Sequence, residues 1–193
     1  MSIEQSDRVP VYILAGGRSS RFGSDKARVV VKGKPLICHI VQAVSSYVAG
    51  ICVVADTPGK YDDLGFRTLA DTHPGQGPLG GLETAIVDCP PPNWLLVLSC
   101  DLIQINPDWI QSLLRLRADH RHCIAFRPEG LWQPLFALYH TDVLPVVQRR
   151  LSQSHLRMQD LLNEVQAVEA PLPKNWPVVL QANTPEALNQ ACF

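Results

Sequence analysis

VPVYILA, residues 9–15, runs straight into GGRSSRFGSDK, residues 16–26, and this junction decides the fold. A short apolar run rich in β-branched residues that stops abruptly at glycines reads as a buried parallel strand. A glycine-rich loop follows, and then an amphipathic stretch from Pro35 to Val48 in which Leu36, Ile40, Ala43 and Tyr47 recur at helical spacing behind a proline suited to a first turn. Further along, Ile51 to Ala55, Thr68 to Ala70 and Trp94 to Leu98 read as strands, and Leu82 to Val87 and Pro107 to Leu116 as helices. Cys123 to Phe126 and Leu131 to Tyr139 read as strands around a turn at Pro128 to Gly130. Helical stretches near Asp142 to Leu151 and Met158 to Leu162, strand-like runs near Val165 to Val168 and Val178 to Leu180, and a helix starting at Pro185 behind Thr184 complete the pass. Strands alternating with helices predict an α/β fold: one domain, a three-layer sandwich, with a mostly parallel Rossmann-like sheet and helices on both faces.

The 193 residues suit a single domain, with residues 1–8 expected as a flexible tail and 9–193 as the folded unit. An apolar fraction of 46% with 18% charged residues fits a globular chain rather than a disordered one. The net charge of −1 supplies no basic field for nucleic acid or anionic lipid, so any anion site must be local. The polar opening MSIEQSDRVP lacks an apolar signal core and no later run is long enough to span a bilayer, which together lead us to expect a cytoplasmic protein. The six cysteines contain no CxxC pair, favouring buried thiols over zinc or disulfides. None of the six histidines has a local spacing that suggests metal ligation.

In an open α/β sheet, ligands bind beyond the carboxyl ends of the strands. The groups to weigh are therefore the loop 16–26, Asp56, Asp71 and Asp101. Gly16, Gly17 and Gly23 let backbone N–H groups approach phosphate oxygens. Arg18, Arg21 and Lys26 add three cations within nine residues, and guanidinium and ammonium groups both suit phosphate. A solvated glycine turn with surface cations is the plainer alternative. Neither GxxxxGK[ST] nor GxGxxG fits: Gly17 and Gly23 are one residue too far apart, and Ser24 stands where lysine belongs. Asp101, behind the run WLLVLSC, suits Mg²⁺, which needs only one or two carboxylates plus phosphate oxygens, or else it caps the following loop. Asp56 and Asp71 could accept from a ribose or base edge or simply bond their own backbone. The loop GPLGGL, Gly77 to Leu82, would let a base come close to backbone.

Taken together, the strand with LAGGRSSRFGSDK, the GKPL segment, the strand ending in SCD and the closing NTPEAL resemble the Rossmann-like nucleotidyltransferase superfamily, and within it the molybdenum cofactor guanylyltransferases. The resemblance covers about Val11 to Ala191. It implies that Leu14, Ala15, Gly16 and Gly17 line the nucleotide, that Lys26 sits on its phosphates, and that Arg21 and Gly23 belong to the phosphate loop. Asp56 stands where the family often has asparagine. Asp71 matches a nucleotide-contacting aspartate, Pro78, Leu79 and Gly80 belong to the loop beside the base, and Asp101 matches the Mg²⁺ ligand. Asn183 matches the terminal asparagine near acceptor and metal, while Gln181 stands where some members carry another. The activity so implied moves GMP from GTP to the phosphate of molybdopterin with release of pyrophosphate, with Arg21, Lys26 and Asp101 as the catalytic set. Its partners would be GTP and molybdopterin, with transient contacts to pterin-donating and enzyme-maturation proteins. LAGG rather than a second alanine favours the guanylyl branch over relatives moving CMP or UMP to another pterin or to a sugar or polyol phosphate. The segment from Trp132 to Leu162 is expected to shape the acceptor side.

Overall fold

A computed structural model describes residues 8–16, 25–91, 93–118, 121–177 and 180–181. In chain order the elements are β1 (Val9–Leu14), a two-residue-strand hairpin of β2 (Val30–Val31) and β3 (Lys34–Pro35), α1 (Leu36–Val44), β4 (Val48–Ala55), β5 (Arg67–Ala70), α2 (Pro78–Asp88), β6 (Trp94–Ser99), α3 (Pro107–Arg115), β7 (Cys123–Phe126), β8 (Phe136–His140), α4 (Leu144–Ser152), α5 (Met158–Glu164) and β9 (Val168–Ala170). Short 3-10 turns fill several connections, including Lys26–Arg28 directly after the glycine loop.

Among the described residues, seven strands form one sheet in the order β5-β4-β1-β6-β8-β7-β9. The pairs β4–β5, β1–β4, β1–β6 and β7–β9 are parallel, whereas β8 runs antiparallel to both β6 and β7. Strand alternation sorts the side chains into two cores. Val11, Ile13, Val53, Leu96, Leu98, Ile124 and Phe126 point to one face and pack with Ile37 and Ile40 of α1 and Trp109, Ile110 and Leu113 of α3. Tyr12, Leu14, Val54, Leu95, Val97, Cys123 and Ala125 point to the other and pack with α2, α4 and α5. Both faces being covered explains why the strands read as nearly unbroken apolar runs. The three-layer arrangement and single domain expected from the sequence are what the chain forms.

The elements follow local chemistry. Asn106 caps α3 by accepting from the Asp108 N–H at 2.9 Å, Pro107 opens its first turn, and Arg115 closes it beside the negative end of the helix dipole. His39 of α1 lies 2.7 Å from the Val31 carbonyl and so pins the β2–β3 hairpin to the helix. Differences from expectation have physical causes. Helix α2 starts at Pro78, not Leu82, because proline is well placed in a first turn and packing overrides the low helix propensity of Gly80 and Gly81. Strand β8 starts at Phe136, not Leu131. Pro134 interrupts the ladder, and Trp132 is held away by Gln159, which accepts from its N–H at 2.9 Å and donates to its carbonyl at 2.8 Å. Residues 165–167 close α5, so β9 begins only at Val168. Of the run Val178 to Leu180 only Leu180 is described; the helix expected at Pro185 and the tail residues 1–7 lie outside the described residues.

Candidate active site

The carboxyl ends of β5, β4, β1 and β6 place Asp71, Asp56, Ala15–Gly16 and Asp101 along one edge of the sheet, in that order. Three strand spacings separate the outer members, roughly 14 Å, a span comparable to an extended nucleotide. The two motif segments are stitched together through backbone: the Cys100 N–H donates to the Leu14 carbonyl at 3.1 Å, and the Ala15 N–H to the Val54 carbonyl at 2.8 Å. Leu14 and Ala15 are buried and Gly16 is exposed, so the first two could meet a ligand only through their backbone.

Lys26 and Asp101 meet at this edge. Lys26 Nζ lies 3.0 Å from Asp101 Oδ2, and their side chains are only 14% and 16% exposed. Ser99 Oγ donates to Asp101 Oδ1 at 2.5 Å and fixes the carboxylate's orientation. Lys26 is presented by the 3-10 turn Lys26–Arg28, which Asp25 caps by accepting from the Ala27 N–H at 3.1 Å. Asp25 is held in turn by the Tyr61 hydroxyl, which donates to its two oxygens at 3.0 and 2.9 Å. Burial, reinforced by Asp25, pushes the Tyr61 hydroxyl well above the usual phenol range, so it remains a donor. Asp56 is exposed and accepts from Lys60 at 2.8 Å; that hydrogen bond lowers its carboxyl from the ordinary value. Lys60 also lies 3.4 Å from Asp25.

At the β5 end, Asp71 Oδ1 accepts from the His73 N–H at 2.8 Å and its own N–H donates to Ala55 O at 2.7 Å. This turn presses on the first turn of α2: a Cβ added at Gly80 would stand 2.9 Å from the His73 carbonyl and 3.0 Å from Asp71 Oδ1. Leu79 is fully buried in the second core, so its side chain cannot line a ligand. Gly77, at φ 66°, precedes Pro78 with no side-chain cap, leaving backbone N–H groups at the helix start to meet an anion or polar edge. Behind them Glu83 is buried and accepts from Thr72 and Gln148, each at 3.0 Å.

On the far side of Asp101, Ser99 N–H donates to Leu135 O at 2.9 Å. Leu135 lines an open cavity of about 440 Å³, together with Pro78, Pro134, Leu156, Met158 and Arg157. Just after Asp101, the Ile103 N–H donates to Leu180 O at 3.0 Å, and Gln181 bridges Leu102. Gly17, Arg18, Arg21, Gly23 and Asn183 lie outside the described residues. Cys100 supplies no nucleophile, since burial, with Asp101's charge added, pushes its thiol up to about 12. The arrangement can therefore bind and orient a phosphate chain electrostatically, without covalent chemistry. The sequence reading missed Ser99, Asp25 and Tyr61. Ser99 and Asp25 sit inside quoted motifs, next to the residues singled out, whereas Tyr61 has no local signal.

The family model for the MobA-like NTP transferase domain matches residues 11–168. A relative from Deinococcus radiodurans, a probable molybdenum cofactor guanylyltransferase, is 38% identical over 76% of this chain and 75% of its own. A molybdenum cofactor guanylyltransferase from Syntrophotalea carbinolica is 32% identical over 74% of this chain and 68% of its own. Among solved structures, molybdopterin-guanine dinucleotide biosynthesis protein A from Archaeoglobus fulgidus superposes with a TM-score of 0.77 at 22% identity, covering 95% of this chain and 96% of that one. The 2-C-methyl-D-erythritol 4-phosphate cytidylyltransferase of Thermus thermophilus shares the fold more distantly, with a TM-score of 0.67 at 15% identity over 99% and 97% of the two chains.

Proposed function

The chain belongs to the MobA-like NTP transferase family, and from that premise we infer a nucleotidyltransferase, a molybdenum cofactor guanylyltransferase that moves GMP from GTP to the phosphate of molybdopterin and releases pyrophosphate. The identity to guanylyltransferases over most of the chain favours GTP over CTP or UTP. The structural observation that carries the reading is the Lys26–Asp101 pair at the carboxyl edge of the sheet, beside the glycine loop.

The residues present fit a magnesium ion: Asp101 offers a carboxylate oxygen at a strand end that already faces a cation, the Lys26 ammonium, at 3.0 Å. Asp101 would hold the ion, which when bound would offset charge on the phosphate oxygens. Lys26 swings from Asp101 to the β- and γ-phosphates, joined by Arg21. Asp71 and the uncapped start of α2 hold the nucleoside end, while the backbone of Leu14 to Gly17 and of Pro78 to Gly80 lines it. Asp56 contributes through its hold on Lys60. The acceptor lies in the cavity between Pro78, Leu135 and Arg157, whose mostly apolar walls suit a flat ring and which Arg157 and Asp160 line with opposite charges; the family's terminal motif assigns Asn183 to the acceptor side. One oxygen of the acceptor's terminal phosphate attacks the α-phosphorus in line, the α–β bridging bond breaks, and pyrophosphate carries away the electron pair. A phosphate is ionised at neutral pH, so the step needs no general base, and catalysis is positioning plus electrostatic stabilisation. The reaction belongs in the cytoplasm, with transient docking of pterin-donating and enzyme-maturation proteins.

The test is pyrophosphate release with Mg²⁺ and each of GTP, CTP, UTP and ATP, with and without molybdopterin. Release with GTP alone, dependent on acceptor, is the expected result. Release with another nucleotide would keep the chemistry and discard the guanine assignment, and silence with all four would reject the reading.

A further inference from the structure

At the end of the sheet opposite the nucleotide edge, three potential metal ligands converge that share no sequence motif. β7 and β8 are antiparallel with Cys123 opposite Tyr139, so His122 and His140 form the next cross-strand pair, and the His140 N–H donates to His122 O at 2.8 Å. Their rings lie 6.3 Å apart, on the same side of the ladder. Asp142 follows in the 3-10 turn Thr141–Val143, placing Oδ2 3.2 Å from His140 Nδ1. One ligand atom from each of His122, His140 and Asp142 lies within 4.8 Å of the others.

The setting of His140 distinguishes this group from a chance surface cluster. The His140 ring is oriented by edge-on contact with Trp94 at 5.2 Å and is only 17% exposed, so one ligand is prepositioned by packing. Its Nδ1 also accepts from the Asp142 N–H at 3.3 Å. The Asp142 carboxylate oxygen lies 3.2 Å from the same nitrogen, so backbone and side chain of Asp142 both converge on the ring edge.

We propose that His122, His140 and Asp142 form a binding site for a divalent transition ion of the zinc class, separate from the nucleotide edge. Two neutral imidazoles and one carboxylate carry a charge of −1, and imidazole selects zinc, nickel or cobalt over magnesium, which prefers oxygen. Donors around tetrahedral zinc stand about 3.3 Å apart, within reach of small rotations by the exposed His122 and Asp142 side chains. Three protein ligands leave a fourth position for water. The bound ion would tie the entry to β7 to the exit of β8.

Untagged full-length protein is titrated with Co²⁺ in millimolar Mg²⁺, reading the visible absorption of bound cobalt, followed by displacement with Zn²⁺. The expected result is one equivalent bound with no sulfur-to-cobalt charge-transfer band. His122→Ala and His140→Ala should each weaken binding on the order of tenfold or more, since even outer-shell losses cost that much, and Asp142→Asn should weaken it less. Their circular dichroism and GTP-dependent pyrophosphate release should match the parent. No bound cobalt, binding that survives both histidine substitutions, or a charge-transfer band marking cysteine ligation would each overturn the proposal.

Discussion

Lys26 and Asp101 stand 75 positions apart in the chain yet share a hydrogen bond at 3.0 Å, screened from most solvent. Their division of labour predicts different losses. Asp101→Ala should lower the rate of pyrophosphate release by roughly 10²–10³, as for other groups that stabilise transition-state charge, while GTP affinity measured by calorimetry changes little. Unchanged turnover would remove Asp101 from the reaction. Lys26→Ala should weaken GTP binding by ~1.5–3 kcal/mol, the value of a hydrogen bond to a charged partner; equal affinity in the two proteins would refute its role on the phosphates. Both residues were legible in the sequence because each ends a motif with a chemical reason for its composition. The Asp25–Tyr61 contact was not, since a tyrosine 36 positions away carries no sign of its partner. The same blindness hid His122 and His140, whose proximity depends on strand pairing rather than on spacing.

At the scale of the element, α2 shows how a helix start is shaped by what it must approach. Gly80 lies so close to the His73 backbone that an added Cβ has no room, whereas at Gly81 it would meet only the Leu14 side-chain methyls at 3.3 Å. Gly80→Ala should therefore destabilise the fold by about 1–3 kcal/mol, the usual cost of overpacking, and weaken GTP binding through the displaced Asp71 turn. Gly81→Ala should cost clearly less, because leucine methyls can give way and alanine favours the helix. Urea denaturation of the two variants makes the comparison, and equal midpoints would reject the close-approach argument. Most elements were recognisable from periodicity alone: Cys123 to Phe126 matches β7, and Trp94 to Leu98 falls one residue short of β6. Boundaries were misread at α2, β8 and β9, and at β4, which starts at Val48 inside the stretch read as helix; contacts from distant residues, such as Gln159 on Trp132, help decide where regular structure begins.

Across the whole molecule, the edge strand β5 and the interior strand β1 are tied to the helix layer above them by a polar clamp. Asp88 at the end of α2 accepts from Arg67 of β5 at 2.7 and 2.6 Å and from Tyr12 of β1 at 2.8 Å. Arg67, and after it Tyr12, holds the Asp88 carboxyl below the usual range. A depressed carboxyl stabilises the fold above its unfolded pKa of about 4 and loses that contribution as pH falls through the lower folded value. Asp88→Asn should cost about 1 kcal/mol at neutral pH, a modest figure because Arg67 is largely exposed. The gap between the two proteins should close below pH ~4, as read by chemical denaturation across pH; a constant gap would mean the charge is not what matters. Sheet class and layering could be read from the alternation of apolar runs, but strand order could not, because nothing local reveals that β8 reverses.

That reversal has a consequence for how this architecture can diversify. Along β4, β1 and β6 the chain reaches the candidate site by leaving a strand, so the proposed nucleotide side is built from segments whose stems are fixed in the parallel ladder. At β8 it reaches the same edge by entering a strand, through Pro134 and Leu135. The proposed donor and acceptor halves are thus carried by separately anchored stretches of chain, joined at the edge by the Ser99–Leu135 hydrogen bond. Exchanging residues 131–135 and 153–160 for those of a relative could retune which phosphate is accepted while the machinery that activates the triphosphate is inherited unchanged.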